Sequence, residues 1–248
     1  EASHIGALAR SFAGDDALAP IETHAQFLEH CAAHSEAAAV AVLEALCREY
    51  GIPSTDVHAV VQQHGLDEAA AQRVLRAYYL LWSAEAARHC YPAAGAQPLP
   101  ALFASGETRL LAMFGGQPGS TAYIAEARWL LDVYRPLLGD FVARMSAHLA
   151  ALALDDRLSV VYKKGLDVHK WLTGLEPDAE YLVSAPVSMP LTGLVQLMHV
   201  MVLHKTLGVS PGELLHCFKG TYAGSMRSAA CHSPHEKHSH VRADAQSC

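Results

Sequence analysis

The sequence has no CxxC pair among its six cysteines, no HExxH, no excess of basic residues and no unbroken apolar run long enough to span a bilayer comfortably. Each absence removes a class of function. Cys31, Cys47, Cys90, Cys217, Cys231 and Cys248 are widely spread, and a chain of 248 residues does not need disulfide staples. They read as the reduced thiols of a cytoplasmic protein. A formal charge of −7 and a pI near 6.1, with Lys and Arg scattered, leave no basic face for nucleic acid. The apolar run from Leu191 to Leu203 is interrupted by Gln196 and His199. It reads as a buried core helix and gives no reason to expect a membrane. The start, Glu1-Ala2-Ser3-His4, has neither a methionine nor a basic n-region. No signal peptide is visible, and a processed or partial chain is expected.

What is present is a chain 51% apolar, ample for a core. Residues 1–23 are weakly patterned and read as a loop. From His24 to His89 the pattern is helical. Ser35 caps a helix ending at Gly51, with Leu43, Leu46, Cys47 and Tyr50 on one stripe. Val57, Val60 and Val61 face inward from a short helix that ends at Gly65. Asp67 caps another helix running to about His89. His24, His30, His34, His58 and His64 lack metal-ligand spacing and read as solvated helix-face residues. The Pro- and Gly-rich stretch 91–100 is a linker. The domains expected are therefore a helical segment over 1–100, a second unit over 101–225, and a tail over 226–248. The tail carries His232, His235, His238 and His240 but few large apolar residues, and reads as disordered with no metal role.

In the second unit Arg109–Phe114 reads as a buried strand, followed by Gly115-Gly116-Gln117-Pro118-Gly119 and two helices meeting near Pro136. The central stretch, Tyr181 to Ser225, reads as an extended lead bracketed by Pro186 and Pro190 and a helix from Leu191 to Leu207 stopped by Gly208. A Ser210–Glu213 turn, a strand over Leu214–Phe218 and a loop from Lys219-Gly220 toward Ser225 follow. His169 reads as a structural histidine. With two strands and many helices, the fold class expected is α/β, mostly helical.

Pro211-Gly212-Glu213-Leu214, Lys219-Gly220 and the Phe114-Gly115-Gly116-Gln117 loop together resemble the acyltransferase domain at the start of the beta subunit of fungal-type fatty acid synthases. The resemblance covers most of 101–220, is loose over 24–90 and is absent after Ser225. It implies the first half of an α/β-hydrolase-like acyltransferase domain preceded by a helical segment. Ser225 falls at the nucleophile position. Gln117, on the substrate-binding loop with Gly115 and Gly116, and Met226, the residue after the serine, fall where the oxyanion hole is expected. Ala223, Gly224 and Arg227 depart from the family's Gly-His-Ser-Gln-Gly elbow, and Pro118 replaces a glycine.

The chemistry implied is transfer of an acetyl or other starter group from coenzyme A, through a serine ester, to the phosphopantetheine thiol of acyl carrier protein. No tightly bound cofactor is implied. The implied partners are the carrier protein and the other synthase domains or the alpha subunit. Such chemistry needs a nucleophile on a sharp turn, a histidine base and two N–H donors for the oxyanion. The family's histidine lies far downstream of the serine and has no counterpart here, so this chain alone is expected to be inactive. Two alternatives stand beside this reading: a non-catalytic homologue that docks on a synthase or carrier protein, and the starter acyltransferase of a fungal polyketide synthase.

Overall fold

A computed structural model describes residues 2–12, 18–52, 56–92, 110–114, 121–175 and 177–223. The N-terminal part contains helices α1 (Ala2–Ser11), α2 (Pro20–His34), α3 (Glu36–Tyr50), α4 (Val57–Gln63) and α5 (Glu68–Tyr79), then a 3₁₀-helix (Glu85–Cys90). Strand β1 (Leu110–Phe114) follows, then α6 (Ala122–Val133), α7 (Arg135–Ala153), α8 (Val168–Leu172) and α9 (Ala179–Val183). The last described elements are α10 (Ala185–Thr206), α11 (Pro211–Cys217) and β2 (Phe218–Ala223).

Local chemistry sets most boundaries. Ser35 Oγ accepts from the Ala38 amide at 3.3 Å, and Gly51, at φ 70°, ends α3 in the left-handed region that glycine enters without cost. Asp56 and Asp67 accept from the amides of His58 and Ala70 to cap α4 and α5. The expected loop over residues 1–23 is replaced by α1 and the start of α2. Pro20 sits in the first turn of α2, and Ile21, Ala25, Leu28 and Cys31 recur along its buried face. The helix expected to reach His89 stops at Tyr79. There the chain folds back so that Tyr78 donates to the Cys90 carbonyl at 2.8 Å and Tyr91 donates to the Tyr78 carbonyl at 2.7 Å. Those two bonds supply what a continuing helix would have supplied.

The C-terminal third corrects the sequence reading most. The expected extended lead over 181–190 is helical. Pro186 occupies the first turn of α10, and Pro190 lies inside it. Pro190 has no N–H to give the Pro186 carbonyl, and the Tyr162 hydroxyl donates to that oxygen instead, at 3.3 Å. The expected strand at Leu214–Phe218 is the helix α11. Ser210 and Glu213 form a full capping box, so the turn propagates to Cys217. The strand begins only at Phe218, and Lys219-Gly220 lies within it rather than in a loop.

A single apolar core joins residues from α1–α5 with residues from α6–α10, so the helices on either side of the 91–100 stretch pack together. Helix α5 contacts α6 and α7, and α10 lies across both of them. Ala127, Leu130, Leu131, Tyr134 and Leu137, at helical spacing on α6 and the start of α7, are all buried. Helix α10 was expected to be buried, and it is so on one face only. Val187, Leu191, Leu194, Val195 and Met198 face the core, whereas Met189 is 65% and Leu197 48% exposed. By length and composition it is also long and apolar enough to cross a membrane, with 33% of its most apolar window buried.

Strands β1 and β2 form a two-stranded parallel sheet among the described residues, with Leu111 opposite Gly220 and Phe114 opposite Ala223. The chain is thus mostly helical, with one parallel strand pair.

Candidate functional site

The parallel pairing decides where the loops after the two strands start. Adjacent strands lie about 4.8 Å apart, and Phe114 and Ala223 are register partners at the carboxyl end of the pair. The chain leaving β1 toward Gly115 and the chain leaving β2 toward Ser225 therefore start side by side on one edge of the sheet. In open α/β sheets that edge is where ligands bind. The predicted site residues themselves, Gly115, Gly116, Gln117, Ser225 and Met226, lie outside the described residues, as does the histidine-bearing tail. The structure brings together the strand ends that carry them.

The approach to β2 is held firmly. The Ser210 amide donates to Glu213 Oε2 at 2.7 Å and the Glu213 amide donates to Ser210 Oγ at 3.2 Å. Hydrogen bonds from the Ser210 backbone, then its side chain, hold the Glu213 carboxyl below its usual range. Gly208, at φ 64°, makes the reversal between α10 and α11. His169 sits exposed on α8, with its backbone amide donating to Ser146 Oγ at 2.8 Å.

One polar constellation was not foreseen. His58 was read as a solvated helix-face residue. Instead its Nδ1 lies 2.8 Å from Asp56 Oδ1 and its Nε2 3.1 Å from the Tyr134 hydroxyl. Burial raises the Asp56 carboxyl, but hydrogen bonds from the His58 side chain and amide, with its charge, outweigh that and bring it below its ordinary value. The spacing of Asp56 and His58 was visible in sequence; Tyr134, 76 positions away, was not. His34 is exposed on its helix face, as expected, and its ring centroid lies 4.6 Å from that of His30. Among the described residues no group of three or more His, Cys, Asp or Glu side chains is placed to hold a metal ion.

No family model matches the chain. Its sequence is 40% identical over 170 residues to the fatty acid synthase subunit beta of Schizosaccharomyces pombe, covering 67% of this chain and 8% of that subunit. It is 40% identical over 120 residues to the same subunit of Saccharomyces cerevisiae, covering 46% of this chain and 6% of that one. It is 41% identical over 114 residues to a fatty acid synthase beta subunit of Emericella nidulans, covering 45% and 5%. The chain is a homologue of fatty acid synthase proteins. Within them it matches the fungal beta subunit, and its extent is consistent with a fragment of that subunit. It spans less than a tenth of the length of these relatives.

Proposed function

We propose that this chain is the helical lead-in and first half of the acyltransferase domain of a fungal-type fatty acid synthase beta subunit. Its work is in fatty acid biosynthesis, as the homologues' names support. The observation that carries the site reading is the register pairing of Phe114 with Ala223. That pairing starts the Gly115-Gly116-Gln117 loop and the Ser225 segment from neighbouring strand ends. In this reading Ser225 takes an acetyl or starter acyl group from coenzyme A as an ester and passes it to the phosphopantetheine thiol of acyl carrier protein. The amides of Gln117 and Met226 stabilise the oxyanion of each tetrahedral intermediate, where preorganised donors act most strongly. Gly115 and Gly116 let the backbone approach the thioester without a Cβ in the way.

The base that would activate Ser225 comes from the rest of the subunit, so the isolated chain reacts only slowly. The exposed Met189, Leu197 and Leu203 of α10 and the two-strand sheet fit a partial α/β-hydrolase-like domain whose remaining strands lie elsewhere in the subunit. The partners are the carrier protein, the alpha subunit and the other synthase domains, in a cytoplasmic setting in keeping with the free thiols Cys31, Cys47 and Cys90.

Prolonged incubation of the folded chain with radiolabelled acetyl-CoA tests the reading. Slow labelling to one ester per chain, lost in Ser225→Ala, is expected. The departures at Ala223, Gly224 and Arg227 favour a second reading, a non-catalytic homologue that docks on a synthase. No label on wild type, together with measurable binding to carrier protein or synthase, selects it.

A further inference from the structure

Two histidines that take no part in acyl transfer meet at the C-terminal end of α2. His30 and His34 stand four residues apart on one helix face, the step of HExxH without its glutamate. Their ring centroids are 4.6 Å apart and their planes are tilted by 44°. Each ring is fixed through one nitrogen. The His34 Nδ1–H donates to the His30 carbonyl at 2.7 Å. Ser11 Oγ gives its single proton to the Leu8 carbonyl at 2.9 Å. At 3.2 Å its oxygen therefore accepts from His30 Nε2–H. Phe12 and Phe27 flank the His30 ring, with centroids 5.8 Å and 6.5 Å away. In the neutral rings the lone pairs left are those of His30 Nδ1 and His34 Nε2. His34 is exposed and His30 half-buried, so solvent reaches the pair.

We propose that His30 and His34 form a solvent-open two-histidine chelate for a late first-row divalent cation such as Ni²⁺, Zn²⁺ or Cu²⁺. Neutral imidazole suits those ions. A ligating ring usually has its other N–H already hydrogen-bonded, which fixes tautomer and orientation, and both rings here meet that condition. A metal–nitrogen bond of about 2.1 Å puts a ring centroid about 3.2 Å from the ion, so two imidazoles at right angles on one ion have centroids about 4.5 Å apart. The separation of 4.6 Å matches. Among the described residues no third His, Cys, Asp or Glu side chain joins the pair to hold an ion. Water therefore completes the coordination shell, and binding is reversible. His30 is bonded to Ser11 at the end of α1, so an ion that fixes its ring also holds α1 against α2.

The test uses the full chain, with accessible thiols alkylated and the competing histidines His232, His235, His238 and His240 of the tail replaced by alanine. Ni²⁺, which does not oxidise thiols, is titrated by calorimetry at mildly alkaline pH, where imidazole is neutral. One site per chain is expected, weakened at least about ten-fold in His30→Gln and in His34→Gln, because each leaves only one arm of the chelate. His34 is exposed, so the helical circular-dichroism signal of His34→Gln should equal that of its parent. Amide exchange over α1 should slow when Ni²⁺ is added to the parent chain and stay unchanged in His34→Gln. Absence of a stoichiometric site overturns the proposal, as does a site that keeps its affinity in both variants. Unchanged exchange over α1 in the metal-loaded parent overturns the link to that helix.

Discussion

The hydroxyl of Tyr134 lies 3.1 Å from Nε2 of His58 and joins the short helix α4 to the joint between α6 and α7. The Asp56 carboxylate faces Nδ1 of the same ring at 2.8 Å, so the imidazole bridges the carboxylate and the phenol. The Tyr134 ring also packs against Tyr79, with centroids 5.3 Å apart. The contact thus spans the two parts of the chain that the 91–100 stretch separates in sequence.

Replacing Tyr134 with Phe should keep the packing and remove the hydrogen bond. The expected cost is about 1 kcal/mol, read as a lower urea midpoint at unchanged slope. A double-mutant cycle with His58→Ala should show coupling of similar size. Strict additivity of the two changes would mean that the residues do not interact in solution.

Alkaline titration should report the aromatic cluster. Burial pushes the phenols of Tyr78, Tyr79 and Tyr91 well above their ordinary value and Tyr134 up to about 12. A raised folded-state value gives stability that is complete below the unfolded value near 10 and is lost as pH climbs through the folded one. Tyrosinate absorbance from these four rings should therefore appear together with loss of the helical circular-dichroism signal. Full ionisation with the helices intact would show that water reaches the rings.

Ser210→Ala should remove one half of the capping box that precedes β2. A cost of about 1 kcal/mol is expected, concentrated in α11. Amide exchange over Pro211–Cys217 should accelerate while α2, α3 and α5 stay protected. Uniform loss of protection across the chain would argue that α11 is a cooperative part of the core.

The outward face of α10 should tolerate charge. Leu197 is 48% and Leu203 40% exposed, so Leu197→Lys with Leu203→Lys should change stability by less than about 0.5 kcal/mol each and reduce aggregation of the isolated chain. A loss of several kcal/mol instead would place these side chains in the chain's own core.

Caps and stops were legible because they are local. Ser35, Asp67 and Gly51 each act within a few residues, and each stands where its chemistry put it. Strand β1 was legible from its compact apolar run. Strand β2 was placed too early because Leu214–Phe218 is equally apolar as helix or strand. The outcome rested on two hydrogen bonds between Ser210 and Glu213. The lead into α10 was misread because a proline at 190 argues against a helix interior unless something distant satisfies the freed carbonyl. Tyr162 does so.

By itself the sequence determined the caps and stops at Ser35, Gly51 and Asp67, which stripes are apolar, and which family the chain resembles, since each is written in spacings of a few residues. Only the tertiary structure decided that β1 and β2 are neighbours in parallel register, that Tyr134 meets His58, that Ser11 meets His30, and that half of α10 stays uncovered. Those outcomes depend on which distant surfaces find one another. Pairing across a hundred residues is settled by the packing of the whole core, and no short window of residues contains it.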